Sequence, residues 1–371
     1  MTEQSKTISP EHEYLGAGKS AAYGLQHVLT MYGGIIAPPL IVGTAAGLEA
    51  YQIGLLIAAA LFVGGLATIL QTVGVKYIGA KLPLVQGVSF AGVATMVAIV
   101  TTGGGLQAVY GAVIVASLIG FLLAPYFSKI IRFFPPVVTG CVITIIGLSL
   151  LPVAVSWMMG GNPKAPEWGS VENIGLALMT LALVVCLNLS RHAAIRRLSI
   201  LLAIVLGSVL AYLFGFGDFS KVATGSWIQV PSFFAFGLPT FEFTAIISML
   251  IVTLVIMTET TADIIAVGEI VGTKVDADRI SNGLRADMLS SAIAPVFGSF
   301  MQSAFAQNVG LVAITGIKSR FVVATGGHDF SSAGFTANYG TFDCCHSCTG
   351  IRWCSSGAFW NSRCQRDSYL G

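Results

Sequence analysis

Charge is what this chain has least of. Lys, Arg, Asp and Glu together make up 10% of its 371 residues, where soluble globular domains carry about 25%. Hydrophobic residues reach 55%, and the mean hydropathy is +0.82. A soluble enzyme is excluded, and a polytopic membrane protein is indicated. The formal net charge of +2 is too small to attract nucleic acid or acidic partners. Residues 1–19 lack the basic start and short apolar core of a signal peptide. With Glu3, Lys6, Glu11, His12, Glu13 and Lys19 they read as a short cytoplasmic tail. Neither a catalytic constellation nor a soluble output domain is legible, so no enzyme and no cofactor is expected. The 43 glycines suit close helix packing in lipid.

A spanning helix needs about 20 apolar residues. Cutting the chain at charges and Gly/Pro clusters gives ten segments, at 21–45, 52–75, 82–100, 105–127, 133–157, 173–189, 197–216, 243–268, 286–301 and 306–317. The last two are short, as if interrupted. With the N-terminus inside, the cytoplasmic loops hold Lys6, Lys19, Lys76, Lys81, Lys129, Arg132, Arg191, Arg196, Arg197, Lys274, Arg279, Arg285, Lys318 and Arg320, whereas only Lys164 and Lys221 fall outside. The positive-inside rule therefore supports this count and orientation up to Arg320.

Polar side chains at membrane depth mark candidate sites. Glu259 and Asp263 stand at i and i+4 on one face of segment 8. Acids there are functional by default, and a carboxyl away from water favours its neutral form, as proton coupling requires. The plainer alternative is a pair of acids that only holds the helix in place. In segment 10 the string Gln307-Asn308-Val309-Gly310-Leu311-Val312-Ala313-Ile314-Thr315-Gly316 puts two amides in a charge-free stretch. They either read something polar in a protein-lined cavity or tie two helices together. Segment 3 opens Leu82-Pro83-Leu84-Val85-Gln86-Gly87-Val88-Ser89-Phe90, and helices broken in this way tend to build sites from free backbone groups and half-helix dipoles. Segment 1 carries Gln26-His27, Gly33-Gly34 and Pro38-Pro39. A lone His in a membrane helix serves either packing or a site.

The ten-residue string resembles the signature of the nucleobase-ascorbate transporters, and the likeness extends over roughly residues 15–326. It implies an all-α, inverted-repeat membrane transporter with core and gate domains and short strands in the broken segments 3 and 10. The implied division is a tail (1–19), core segments 1–4 (20–127), gate segments 5–7 (128–216) and core segments 8–10 (243–326). By the same resemblance Glu259 accepts hydrogen bonds from a nucleobase, Gln307 reads its edge, and Phe90, with Ser89 beside it, lines its face. Asn308 and Gly310 shape the strand-to-helix turn. Asp263 joins the proton-coupling network and His27 shapes the site. Asp287 shares in coupling, or else serves as a cytoplasmic-end cap or a salt-bridge partner for Arg285. The implied partners are a purine, protons, the lipid bilayer and a second copy in a homodimer, at the cytoplasmic (inner) membrane. Gln307 fits xanthine and urate carriers better than uracil carriers, and Val309 favours urate. The rival within transport is a sulfate-type anion carrier, which would have a basic or helix-dipole site and no intramembrane Glu.

After about Gly326 the text changes. His328-Asp329-Phe330-Ser331-Ser332 stands where another span is due, and five of seven cysteines crowd into Cys344, Cys345, Cys348, Cys354 and Cys364. Their spacing fits no standard zinc site, so no metal is expected. A shifted reading frame explains 327–371 better. Reading one base later forces glycine at Trp353 and Trp360, and compatible codons give apolar, Gly-rich spans. On that reading segment 11 and half of the gate domain are missing, and the polypeptide as written does not transport.

Overall fold

The computed structural model describes residues 9–130, 136–160, 168–192, 195–196, 198–213 and 233–334. Eleven α-helices and two short strands follow one another in these residues. They are α1 (Ala17–Ala45), α2 (Ala50–Val73), β1 (Gln86–Val88), α3 (Val93–Ile99), α4 (Gly105–Ile130), α5 (Pro136–Met158), α6 (Val171–Asn188), α7 (Ser199–Leu213), α8 (Phe243–Val271), α9 (Ala277–Ile293), β2 (Gln302–Ala304), α10 (Ala306–Thr315) and α11 (Arg320–Gly334). Among the described residues, five stretches are long and apolar enough to cross a membrane: Ala17–Ala45, Tyr51–Val73, Phe90–Lys129, Val171–Asn188 and Phe243–Val271. The fold is that of a mostly helical, multi-pass membrane protein.

Local chemistry sets the ends. At the start of α2, Glu49 and Gln52 form a reciprocal capping box, and the helix stops at Gly74, which takes φ +68°. In α9 the Asp276 carboxylate accepts from the Arg279 N–H at 2.8 Å. This cap corrects the expected segment 9: the helix begins at Ala277, not at 286, because its polar first turns are helical despite their charges. The segment also ends earlier as α-helix, at Ile293, and passes through a 3₁₀ turn (Ala294–Phe297) into β2.

Glycine pairs draw α11 onto α1 and α2. A Cβ at Gly24 would lie 2.9 Å from the Gly326 nitrogen, and one at Gly65 would collide with the Gly327 carbonyl and Ser331. Helix α11 thus crosses the expected boundary at 326/327 and continues to Gly334, with Phe330 fully buried. The cysteine cluster and the rest of the expected frameshifted tail lie outside the described residues. Helices α6 and α7 pack on each other where Gly207 meets Thr180. Leu178, Leu181, Val185, Val205, Leu206 and Val209 on these helices are exposed, as lipid-facing side chains are.

The inner core comprises α1–α4 and α8–α11. Its buried centre includes Ile35, Leu56, Ile57, Met96, Met249, Ile256, Met288 and Phe300.

Candidate functional site

The two strands meet inside this core. β1 and β2 run antiparallel, with Gln86 opposite Ala304, Gly87 opposite Ser303 and Val88 opposite Gln302. Two flanking bonds extend the ladder, from Ser89 N–H to the Met301 carbonyl (2.8 Å) and from Phe305 N–H to the Val85 carbonyl (3.1 Å). Side-chain hydroxyls carry the outer edges. The Gln86 N–H donates to Thr68 (2.9 Å), the Gln302 N–H to Ser291 (2.8 Å) and the Ala304 N–H to Thr260 (3.4 Å). Non-helical backbone survives at membrane depth only when its polar groups are satisfied in this way. Gly87 is required by space, since a Cβ would come within 2.6 Å of the Phe305 ring and 2.9 Å of Ile35.

Around the strand pair the sequence-derived residues separate into three groups. The first is locked in place. Asn308, in the first turn of α10, is fully buried. It donates from Nδ2 to the Pro83 carbonyl at 2.7 Å, and its Oδ1 lies 2.7 Å from His27 Nδ1 on α1. One amide therefore ties α10 to both the broken segment 3 and α1. His27 is buried, with no partner at Nε2. Asp287 is 1% exposed and accepts from Thr260 Oγ1 (2.6 Å) and from Gln71 Nε2 (3.3 Å). It forms no ion pair with Arg285 among the described residues, so the alternative reading as that partner is set aside.

The second group lies on the turn after β1 and on α8. The turn of Phe90 packs against α8, where a Cβ at Gly92 would touch Val252 and Met249. The Phe90 ring is half-buried, 6.5 Å from the Phe305 ring and tilted by 40°. Ser89 is buried and its Oγ accepts from the Ala91 N–H at 3.3 Å, which caps the turn. Two turns along α8 from Val252, Glu259 stands beside Thr260, and its Oε2 is buried without a hydrogen-bond partner. One turn further, Asp263 is buried with Oδ2 likewise unpartnered.

The third group is exposed on α10. Gln307 is exposed on the first turn of α10. Gly310 is also exposed, and a Cβ there would meet open space.

Sequence reasoning missed Gln71, Thr260, Phe305, Thr68 and Ser291. Each is a common residue whose part depends on a partner far away in the chain. Only Thr260 carried a local signal, standing next to Glu259.

Interrupted spans that pair as strands within a helical core, with unpartnered carboxylates beside them, define a membrane carrier. Comparison with known proteins gives the family: residues 18–328 match the Permease family (Xan_ur_permease), and the chain belongs to it. It is 43% identical over 304 residues to the uric acid permease PucK of Bacillus subtilis, which covers 82% of this chain and 70% of that protein. With the xanthine permease of Bacillus subtilis it shares 39% over 312 residues, covering 84% of this chain and 71% of that one. The uric acid transporter UacT of Escherichia coli is 36% identical over 326 residues, covering 87% and 67%. Among solved structures, the transmembrane domain of the cyanobacterial bicarbonate transporter BicA has the same fold, with a TM-score of 0.60 at 15% identity, covering 92% of this chain and 91% of that domain. The protein is accordingly a membrane transporter and not an enzyme.

Proposed function

We propose that this protein is a proton-coupled purine symporter of the cytoplasmic membrane, with xanthine or uric acid as cargo. The observation that carries the reading is the Glu259 carboxylate, buried without a partner on one oxygen, beside the strand pair of a Permease-family core. Purines of this class are flat and rimmed with N–H donors and carbonyl acceptors. Glu259 would accept from the N–H groups, Gln307 would meet the mixed edge, and Phe90 would offer a face; Ser89, Asn308 and Gly310 complete the proposed contact set. A buried acceptor left unpaired by the wrong ligand penalises that ligand, which gives selectivity.

An unpartnered carboxylate oxygen can also be satisfied by a proton. Asp263 and Asp287 are the proposed coupling groups, with His27 holding the site's shape through Asn308. The relatives named for uric acid and xanthine support purines over uracil, and Glu259 argues against a sulfate-type anion site. The proposed orientation places the N-terminus inside. It is supported by the gathering of Lys81, Arg279, Lys318 and Arg320 around the amino-terminal turn at one end of the bundle. The assignment of α1–α4 and α8–α11 to a core, of α5–α7 to a gate and of the carrier to a homodimer belongs to the same proposal.

Equilibrium binding of labelled xanthine and uric acid to the protein in lipid nanodiscs tests it. Glu259→Gln keeps the shape but removes a charged acceptor, and should weaken binding by roughly 100-fold while the melting temperature holds. Unchanged affinity in that variant would remove Glu259 from the site.

A further inference from the structure

We infer that Arg279 is a positioning residue for the strand-pair site, held by an amino-terminal latch built around Glu11. The 3₁₀ turn Pro10–His12 buries Glu11 to 3% exposure. Its Oε1 accepts from Thr273 Oγ1 at 2.8 Å and lies 3.5 Å from the Arg279 guanidinium. Two further contacts fasten the same strip of chain: Ser319 Oγ donates to the Glu13 carbonyl (2.6 Å), and the Tyr14 ring stands edge-on to Phe321 at 6.5 Å.

The same guanidinium also reaches the loop that feeds β1. Nε donates to the Ala80 carbonyl at 2.7 Å and Nη2 to the Lys81 carbonyl at 3.0 Å, while Nη1 donates to Thr273 Oγ1 at 3.1 Å. That loop is held from its other side as well. The Gly79 N–H donates to the Asn282 carbonyl (2.7 Å), the Ala80 N–H to Gln71 Oε1 (3.2 Å), and Gln71 in turn donates to Asp287. Lys81 adopts φ +55°, a left-handed conformation that a Lys keeps only where its surroundings fix it. Two residues on, the Pro83 carbonyl receives Asn308. Glu11 thus orients Arg279, Arg279 sets residues 80–81, and these deliver the Pro83 carbonyl and β1 to the site. A planar fork of donors is what such divided bonding requires, and the point charge of a lysine cannot reproduce it.

Hydrogen–deuterium exchange and purine binding, measured on the whole chain in nanodiscs, test this; only the binding readout rests on the proposed function. Arg279→Lys and Glu11→Gln are both mild enough to fold, and Arg285→Lys on the same helix is the control. The expected result is amide exchange over residues 77–88 about tenfold faster in both latch variants, weaker purine affinity, and no change in the control. Unchanged exchange over 77–88 in both variants overturns the proposal. Faster exchange in Arg279→Lys alone overturns the amino-terminal latch and leaves Arg279. If the unaltered protein binds neither purine, the functional reading fails, while the exchange result still decides the latch.

Discussion

Removing the amide of Asn308 should cost more than any other single change at the site. In Asn308→Ala two buried contacts of 2.7 Å disappear together. The Pro83 carbonyl loses its Asn308 donor, and His27, whose Nε2 already has no partner, loses the partner of Nδ1. Side-chain hydrogen bonds in membrane bundles average about 0.6 kcal/mol and reach about 1.7. An imidazole stripped of a partner in a buried position belongs at the upper end, so the two losses sum to about 3 kcal/mol. A double-mutant cycle with His27→Ala isolates their shared part, and a coupling of about 1.5 kcal/mol, slightly more than tenfold, is expected. Denaturant unfolding in mixed micelles gives the four stabilities. If the two single changes add to within about 0.5 kcal/mol of the double, the His27–Asn308 contact has no energetic weight and the locking argument is wrong.

Gly87→Ala should destabilise by about 1–3 kcal/mol, since the new methyl meets the Phe305 ring and Ile35, whereas Gly310→Ala should be neutral or slightly stabilising in its helix; melting curves of the two variants reverse this order if the strand packing is misplaced. The latch should also respond to acid. Burial pushes the Glu11 carboxyl up, but hydrogen bonds from the backbone and Thr273 together with the Arg279 charge outweigh it and leave the group below its ordinary value. A carboxyl lowered by folding contributes stability that is fully present above the unfolded value of about 4.3 and is lost as pH falls through the lower folded value. Protection over residues 77–88, with the intrinsic pH dependence of amide exchange divided out, should therefore hold from neutral pH down to that range and fall below it in the unaltered protein but not in Glu11→Gln, and a fall in protection near neutral pH would refute the assignment.

Much of this architecture was legible because a bilayer leaves few choices. Apolar runs set the positions of α1, α2, α4 and α8, and the prolines and glycines at Pro83, Gly87 and Gly92 announced a broken span. Charge misled at α9: cutting at Asp276, Asp278, Arg279 and Arg285 hid two helical turns whose polar residues satisfy the cap, the latch and the neighbouring loop. The carboxylates Glu259, Asp263 and Asp287 could be singled out because acids are rare in lipid. The partners of Asp287 could not, since Thr260 and Gln71 are unremarkable until distant segments meet. Gln307 and Asn308 are alike by residue type and received separate parts only from the family resemblance; in the fold they are an exposed amide and a buried tie.

The strand pair also constrains how the protein is made. β1 emerges early in synthesis, and although the Gln86 N–H can meet Thr68 at once, the strand's ladder partners arrive only with Gln302–Ala304. Until β2 arrives, a lone strand in hydrocarbon would leave its ladder N–H and C=O groups unsatisfied, at several kcal/mol each. The third segment therefore cannot settle when it is first threaded into the membrane. It needs a wet or protein-lined shelter until β2 has been made, so any variant that slows the arrival of segment 10 leaves those groups bare for longer.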